Sequence, residues 1–472
     1  MSDMEDKQAE ALDEDGLAAD EIDASAEKLF FIEMLVKDIG LLPAIVDLVD
    51  NSVDGARSLS SDHKNLNDQW IKINIADDQF LITDNSGGIS LDVARHYAFR
   101  FGRPRSFTGV AHSVGQFGVG MKRAIFKIGK QFSVSSSYRS RDGVIRNSFE
   151  LSVDVESWAV EEGWTFRFDK FDANAAVETA GTSISVTNLH RSVNDDLNEE
   201  ATLQALRTEL SLRHQESIKA GLEITVNGRP LRAVIPVLQA NHLFKPIVKQ
   251  RTFSLTDGEV QMNLYAGTVL PRDKSAFVDE GQAEYFQDEG SAGWYLFCNG
   301  RLLMVADRSA MTGWGSTGAA YHPQYRQFRG YVFLSAENPS LLPWNTTKTA
   351  VDRNAEVFGS VQSEIKRTLV EVQSVINRAK TERSRMQDND EATDLVKALQ
   401  TAEEVTLEDL TPSAVVVVPP APPVVKQRLN IQRIQYAVSK ELYEEVATAL
   451  GASSGSDVGR RTFDYFYAAE LD

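Results

Sequence analysis

The segment Ala44–Ala56 reads Ala-Ile-Val-Asp-Leu-Val-Asp-Asn-Ser-Val-Asp-Gly-Ala. On a helix, Asp47, Asn51 and Asp54 fall at i, i+4 and i+7 and share one face. Ile45, Val46, Leu48, Val49 and Val53 cover the remainder, so such a helix is expected to be buried. A buried stripe of two carboxylates and an amide is costly unless those groups have partners. A hydrated Mg²⁺ carrying phosphates would supply them, because Mg²⁺ takes oxygen ligands and draws only one or two from protein; the plainer alternative is a solvated helix face. A second candidate is Asp84, in the run Asp84-Asn85-Ser86-Gly87-Gly88 behind the apolar stretch Phe80–Thr83. A carboxylate at a strand end can accept a hydrogen bond from an adenine amino group, although Asp/Asn/Gly turns also form for purely local reasons. The third is Gly115-Gln116-Phe117-Gly118-Val119-Gly120-Met121-Lys122-Arg123-Ala124. Glycines such as Gly115, Gly118 and Gly120 let backbone N–H groups approach phosphates, and a helix starting beside them offers its positive end. Lys122 in the first turn adds a charged donor. The run lacks the Lys-Ser/Thr ending of a P-loop.

These groups need elements to position them. Leu29, Ile32, Leu35, Val36 and Ile39 repeat at three and four, which predicts a helix with Ser25 as N-cap and Gly40 as its end. Pro43 can open the next helix, through Ala44–Leu59. Strands are expected near Trp70–Ile75 and Phe80–Thr83, a helix from Gly120, then strands at Gln131–Tyr138, Val144–Val153, Thr165–Phe168 and Thr182–Thr187. Helices interleaved with antiparallel-looking strands give an α+β class. A second unit is expected over 194–387: a helix at Asn198–Leu212, strands at Leu222–Val226, Thr252–Leu255, Val260–Ala266, Trp294–Cys298 and Tyr331–Leu334, and a long helix at Ala355–Met386. The acidic, Pro-rich stretch 388–427 reads as a semi-extended linker. A small module at 428–472 carries a helix at Ser439–Leu450 and the cluster Phe463-Asp464-Tyr465-Phe466-Tyr467, suited to docking a partner or to a small core of its own.

Charge narrows the options. The 472 residues hold 49 Lys+Arg against 68 Asp+Glu, a formal charge of −19, which disfavours broad electrostatic capture of nucleic acid or anionic membrane. Most of the excess sits in residues 1–27 and 388–425, which leaves the folded body near neutral. Residues 1–24, acidic and without a periodic apolar face, read as a disordered tail. The single cysteine, Cys298, excludes an intramolecular disulfide and a thiolate metal cluster and suits a reducing cytoplasm. None of the seven histidines is spaced for a metal pair or flanked for phosphotransfer. The apolar run around Val415–Val425 is broken by prolines, so no bilayer-spanning helix is expected. A soluble cytoplasmic protein is the expectation.

The order of the three motifs, with Gly181-Thr182 opening a later strand, resembles the GHKL ATPase superfamily, which includes gyrase B, MutL, MORC and the ninety-kilodalton heat-shock chaperones. The resemblance covers about residues 25–360. It implies a Bergerat-type ATP-binding α/β sandwich over 25–193, followed by a transducer-like α/β domain with a long helix over 194–387. It also implies that ATP and Mg²⁺ are the cofactors, that Asn51 ligates the metal and that Asp84 reads the adenine. Gly118, Gly120 and Lys122 would hold the phosphates, Thr182 would sit near the adenine, and 89–117 would be a lid. Trp294–Arg301 and Asn345-Thr346-Thr347-Lys348-Thr349 are similar to the transducer of MutL, MORC and gyrase B, where a lysine at the position of Lys348 touches the γ-phosphate. Where that family carries a Glu general base this chain has Asp47. Loss of one methylene draws the carboxylate back by roughly 1–1.5 Å, so slow or partner-dependent hydrolysis is expected. Ser86 stands at the first glycine position of the adenine loop.

The resemblance implies an ATP-gated dimerising clamp in DNA transactions, plausible within a restriction-like defence system beside helicase or nuclease partners. The alternatives are a chaperone-like ATPase acting on protein clients and an ATP-binding scaffold without turnover. Basic clusters at Arg100, Arg103, Arg105 and at Arg139, Arg141, Arg146 are candidates for DNA phosphates, and Phe30-Phe31 for exchange between subunits.

Overall fold

The computed structural model describes residues 27–60, 65–102, 119–140, 142–270, 291–345, 348–386, 392–413, 415–420 and 434–470. The acidic tail 1–24, Ser25, Gly115, Gly118 and most of the expected lid lie outside them. The chain separates into two compact units, residues 1–420 and 421–472.

The larger unit opens with helices α1 (Lys28–Lys37) and α2 (Leu41–Leu59), then strands β1 (Trp70–Ala76) and β2 (Gln79–Asp84). A short α3 (Leu91–Val93) runs into a π-helical turn, Ala94–Ala98, and α4 (Gly120–Ile128) follows. Next come β3 (Gly129–Arg139), β4 (Arg146–Asp154), α5 (Val155–Ala159), β5 (Lys170–Asp172), β6 (Gly181–Leu189), α6 (Arg191–Leu197), α7 (Glu200–Arg213) and α8 (Gln215–Lys219). Strands β7 (Glu223–Val226) and β8 (Arg229–Pro230) complete this layer.

The eight strands form one sheet in the order β5-β4-β3-β6-β2-β1-β7-β8, with β7 parallel to β1 and the remaining pairs antiparallel. Alternation along each strand sends one set of side chains to the helices. Register then aligns them into a single buried row, Val226–Ile73–Ile82–Ile184–Val134–Leu151, crossing six strands. Helices α2 and α4 lie side by side, with Ala44, Ile45, Val46, Leu48, Val49, Val53, Ala124, Ile125 and Ile128 joining that core. Pro43 is accommodated because the first turn of α2 needs no N–H from it.

Three expectations are corrected. The first sheet runs on through β7 and β8 rather than ending near 193, since β7 pairs with β1. No strand forms at Thr165–Phe168; the edge strand is β5, and Phe166 and Phe168 pack into an aromatic cluster with Trp158, Phe132 and Phe149. The expected linker 388–427 is partly folded, because α10 (Asp394–Thr401) buries Leu395, Val396 and Leu399, and β15 (Glu403–Thr406) pairs with β9 (Val237–Ala240).

A second sheet, in the order β10-β11-β14-β12-β13, is built from β10 (Ile247–Leu255), β11 (Gly258–Thr268), β12 (Gly293–Cys298), β13 (Arg301–Asp307) and β14 (Phe328–Ser335). The long α9 (Phe358–Met386) lies on it through Val361, Ile365, Leu369, Val372 and Ile376, spaced by three and four. Gly330 is obligatory there, because a Cβ would lie 2.3 Å from the Trp294 ring.

The smaller unit holds α11 (Lys440–Leu450) and α12 (Gly455–Glu470). Gly451, at φ +59, ends α11 in a left-handed cap. Among its described residues Val458 is the sole buried hydrophobic side chain, while Phe463, Tyr465, Phe466 and Tyr467 are exposed. No helix among the described residues is long and apolar enough to cross a membrane.

Candidate nucleotide site

Of the polar stripe of α2 only Asp47 is buried, while Asn51 is exposed and Asp54 half-buried; the fold supplies partners for Asp47 and for its buried neighbour Asp50 from far along the chain. Asp47 is 3% exposed and accepts a 2.5 Å bond from Arg123 Nη2, in the first turn of α4. Asp50, one turn on, is fully buried. Lys348 Nζ lies 2.9 Å from its Oδ2 and Arg301 Nε 3.1 Å from its Oδ1. The Arg301 pair is close but not aligned as a hydrogen bond, since both atoms lack one. Arg301 Nη2 stands 4.0 Å from Asp47 Oδ1, so one guanidinium spans both carboxylates. His214 Nε2 is 3.8 Å from Asp50 Oδ1, but burial lowers its pKa to about 3; it is neutral and makes no ion pair.

The two carboxylates differ. Burial raises the pKa of Asp47, reinforced by its neighbour Asp50 and only partly opposed by Lys348, Arg301 and Arg123. Burial acts in the same sense on Asp50, but Arg301 and Lys348 outweigh it and hold that carboxylate below its ordinary value. Asp50 is thus the fixed anion, and Asp47 the more basic group.

The loop that carries Lys348 is shaped by Asn345, whose Oδ1 accepts from the N–H groups of Thr349 and Ala350 and whose backbone carbonyl accepts from Lys348 N. Lys348 itself sits at φ +51, a left-handed conformation uncommon for a residue with a Cβ. Further along α2, Arg57 donates to the Asn299 carbonyl and to Ser217 Oγ. A helix of the first layer is therefore tied to the second sheet at two places two turns apart.

Between these two ties, at Ser52, α2 meets Asp84, which closes β2. Its Oδ2 accepts from Ser52 Oγ at 2.6 Å, and its Oδ1 from Ser86 N at 2.9 Å and Thr182 N at 3.2 Å. Burial raises its pKa against the pull of those donors. Glycines allow the close approach. A Cβ on Gly181 would lie 2.1 Å from the Asp84 carbonyl, and one on Gly88, at φ +73, 2.1 Å from the Ser137 carbonyl.

The structure brings Asp47, Asn51 and Asp54 onto α2, with Asp84 and Thr182 beside Ser52 on the same helix. Asn51 is exposed and donates Nδ2 to the Asp47 carbonyl, which leaves its Oδ1 directed to no protein donor among the described residues. Asp54 is half-buried and acts electrostatically on Arg57. Gly120 begins α4 against Asp47. Lys122 departs from expectation: it is 2% exposed and donates to the Ala98 carbonyl at 2.8 Å, a tie between α4 and the turn after α3 rather than a displayed charge. Lys348 reaches the site but binds Asp50. Of the basic clusters, Arg103, Arg105 and Arg141 lie outside the described residues. Sequence reasoning missed Asp50, Arg123, Arg301 and His214. Asp50 and Arg301 stand inside motifs already singled out, and Arg123 follows Lys122 directly.

Residues 39–179, from just before α2 to just before β6, match the family of histidine kinase-, DNA gyrase B- and HSP90-like ATPases. They form a GHKL-like ATP-binding ATPase domain. No curated protein matches the chain. The ATPase domain contributes Asp47, Asp50 and Arg123, whereas Arg301 and Lys348 come from outside the matched stretch. Arg123, Arg301 and Lys348 converge on Asp47 and Asp50, and guanidinium and ammonium groups are the donors that a polyphosphate takes. Among the described residues no group of three or more His, Cys, Asp or Glu is placed to hold a metal. Asn51 Oδ1, which meets no donor among the described residues, is an oxygen that a Mg²⁺ brought by a nucleotide would be able to take.

Proposed function

We propose that this protein is a slow Mg-ATPase used as a conformational switch, in which the ATPase domain reports nucleotide state to the second sheet. The observation that carries this reading is the ion-pair network in which Arg301 and Lys348 of the second sheet and its following loop grip Asp50 on the ATPase helix α2. When bound, Mg-ATP supplies the phosphoanhydride to be cleaved. Asp84 would accept from the adenine amino group, Asn51 Oδ1 would hold the cation, and Asp47 would take the proton of the attacking water. The raised pKa of Asp47 suits that duty. A change in Lys348's partner from Asp50 to a γ-phosphate would loosen one strand of the tie and leave Arg301 to keep the other.

ATP-dependent homodimerisation belongs to the same proposal. On α1, Phe31 packs edge-on to Phe101 and Trp164, while Leu29, Phe30 and Met34 are exposed; that apolar patch supports pairing with a second copy. DNA as the client, a role in defence against foreign DNA, and helicase- or nuclease-type partners docking on 428–472 rest on the resemblance to MutL and MORC. A test is Mg-ATP turnover by the full chain with and without double-stranded DNA, beside Asn51→Ala and Asp47→Ala. Turnover lost in both variants and raised by DNA supports the reading. Turnover indifferent to DNA but raised by an unfolded protein points to a chaperone. Tight binding with no turnover in any condition points to a scaffold.

A further inference from the structure

We propose that Asp47 and Arg123 plug the phosphate end of the site in the nucleotide-free protein, and that Arg123 is the cation that passes to a phosphate group when nucleotide binds, releasing Asp47. The inference rests on the ATPase reading and identifies a phosphate-binding residue of that same site.

Three observations carry it. First, the start of the nine-residue α4 is aimed at Asp47. A Cβ on Gly120 would lie 3.3 Å from Asp47 Oδ2, and the N-cap residue, Val119, provides no side-chain cap. A helix N-terminus favours an anion through its free N–H groups and its dipole, and Asp47 lies beside it, bonded to Arg123. Second, Arg123 projects from the same first turn, is more than nine-tenths buried, and spends only Nη2 on Asp47. Its Nε has no hydrogen-bond partner among the described residues, although a planar guanidinium can bind a phosphate through two parallel donors. Third, Lys122, the neighbouring cation, is committed to the Ala98 carbonyl, so of the two cations in the first turn of α4 Arg123 is the one that faces Asp47.

A carboxylate that fills the anion position competes with the ligand, and its own interaction with Arg123 is subtracted from nucleotide affinity. The same displacement uncovers Asp47 at the moment a phosphate is in place. Arg123 thereby acts on hydrolysis by positioning Asp47, besides holding the phosphate.

The test is titration of the full chain with a Mg-bound, non-hydrolysable ATP analogue, followed by isothermal calorimetry, which needs no turnover. Asp47→Asn, which weakens the plug but keeps the shape, is expected to bind about tenfold tighter than wild type, and Arg123→Gln at least about tenfold weaker. In the double variant the gain from Asp47→Asn should vanish, because the cation it liberates is gone. Arg123→Lys, which keeps the charge and loses the fork, should fall between, and it stands in if Arg123→Gln fails to melt cooperatively. The proposal is overturned if Asp47→Asn binds no tighter than wild type, or gains equally with and without Arg123. A wild-type chain that binds no analogue at all would instead sink the ATPase reading.

Discussion

Asp84 is held by three donors, two of them backbone N–H groups, so its carboxylate is a fixed acceptor at the end of β2. Asp84→Asn keeps an oxygen for those N–H groups but offers the adenine amino group a competing donor. We expect about 10- to 100-fold weaker binding of an ATP analogue, the cost of one charged hydrogen bond, with little change in melting temperature; calorimetry and thermal melts read the two separately. His214 tests the buried cluster through pH. Its ordinary value of 6.5 falls to about 3 on folding, so between these limits the unfolded chain binds a proton that the folded chain refuses. Stability contributed by neutral His214 is complete above about pH 6.5 and drains away as pH falls toward 3. Relative to His214→Gln, wild type should lose about 1.4 kcal/mol per pH unit between about pH 6 and 4, measured by urea unfolding. A difference independent of pH would mean that His214 is solvated.

Helix α2 works as an element because one of its faces touches backbone. A Cβ on Gly55 would lie 2.6 Å from the Ser86 carbonyl, so the glycine sets how closely the helix approaches the Asp84–Gly88 turn. Gly55→Ala gains about 1 kcal/mol of helix propensity yet forces that turn outward. We expect a net loss of about 1–3 kcal/mol from overpacking, together with weaker nucleotide binding because Asp84 and Ser52 separate. A denaturant midpoint at or above wild type would show that the turn yields freely. Helix α4 complements α2, since its first turn brings Gly120 and Arg123 to Asp47 while Ala124, Ile125 and Ile128 bury the rest.

Across the whole molecule, Arg301 and Arg57 tie α2 to the second sheet. Arg301→Met leaves Asp50, fully buried, with Lys348 alone, and should cost about 3–5 kcal/mol. It should also uncouple the layers. In wild type an ATP analogue is expected to alter amide exchange in β12, β13 and the loop at Lys348; in Arg301→Met the change should stop at the ATPase domain. The compact unit from 421 onward is a separate body, so removing 421–472 should leave the melting temperature of the remainder and its nucleotide affinity unchanged, while abolishing any partner capture by Phe463, Tyr465, Phe466 and Tyr467.

Much of the site was legible in the sequence because its information is local. A spacing of i, i+4 and i+7 fixes Asp47, Asn51 and Asp54 to one helix face whatever the rest of the chain does, and Asp84 followed by two glycines marks a strand end and its turn. The strands around them alternate with period two, and the long α9 shows its stripe at three and four. Pairings across long separations were not legible. Asp47 meets Arg123 over 76 residues, and Asp50 meets Lys348 over 298. Periodicity states which face is buried but not which charge another element delivers to it. The parallel addition of β7 to β1, and the folding of α10 and β15 out of an acidic, Pro-rich stretch, depend likewise on what lies alongside. The sequence by itself therefore determined the nucleotide-binding elements and most of the residues expected to read the ligand. Only the tertiary structure decided that Lys122 is buried while Arg123 faces Asp47, and that the second sheet holds Asp50, because the stability of a buried ion pair depends on geometry that exists only once both partners are in place.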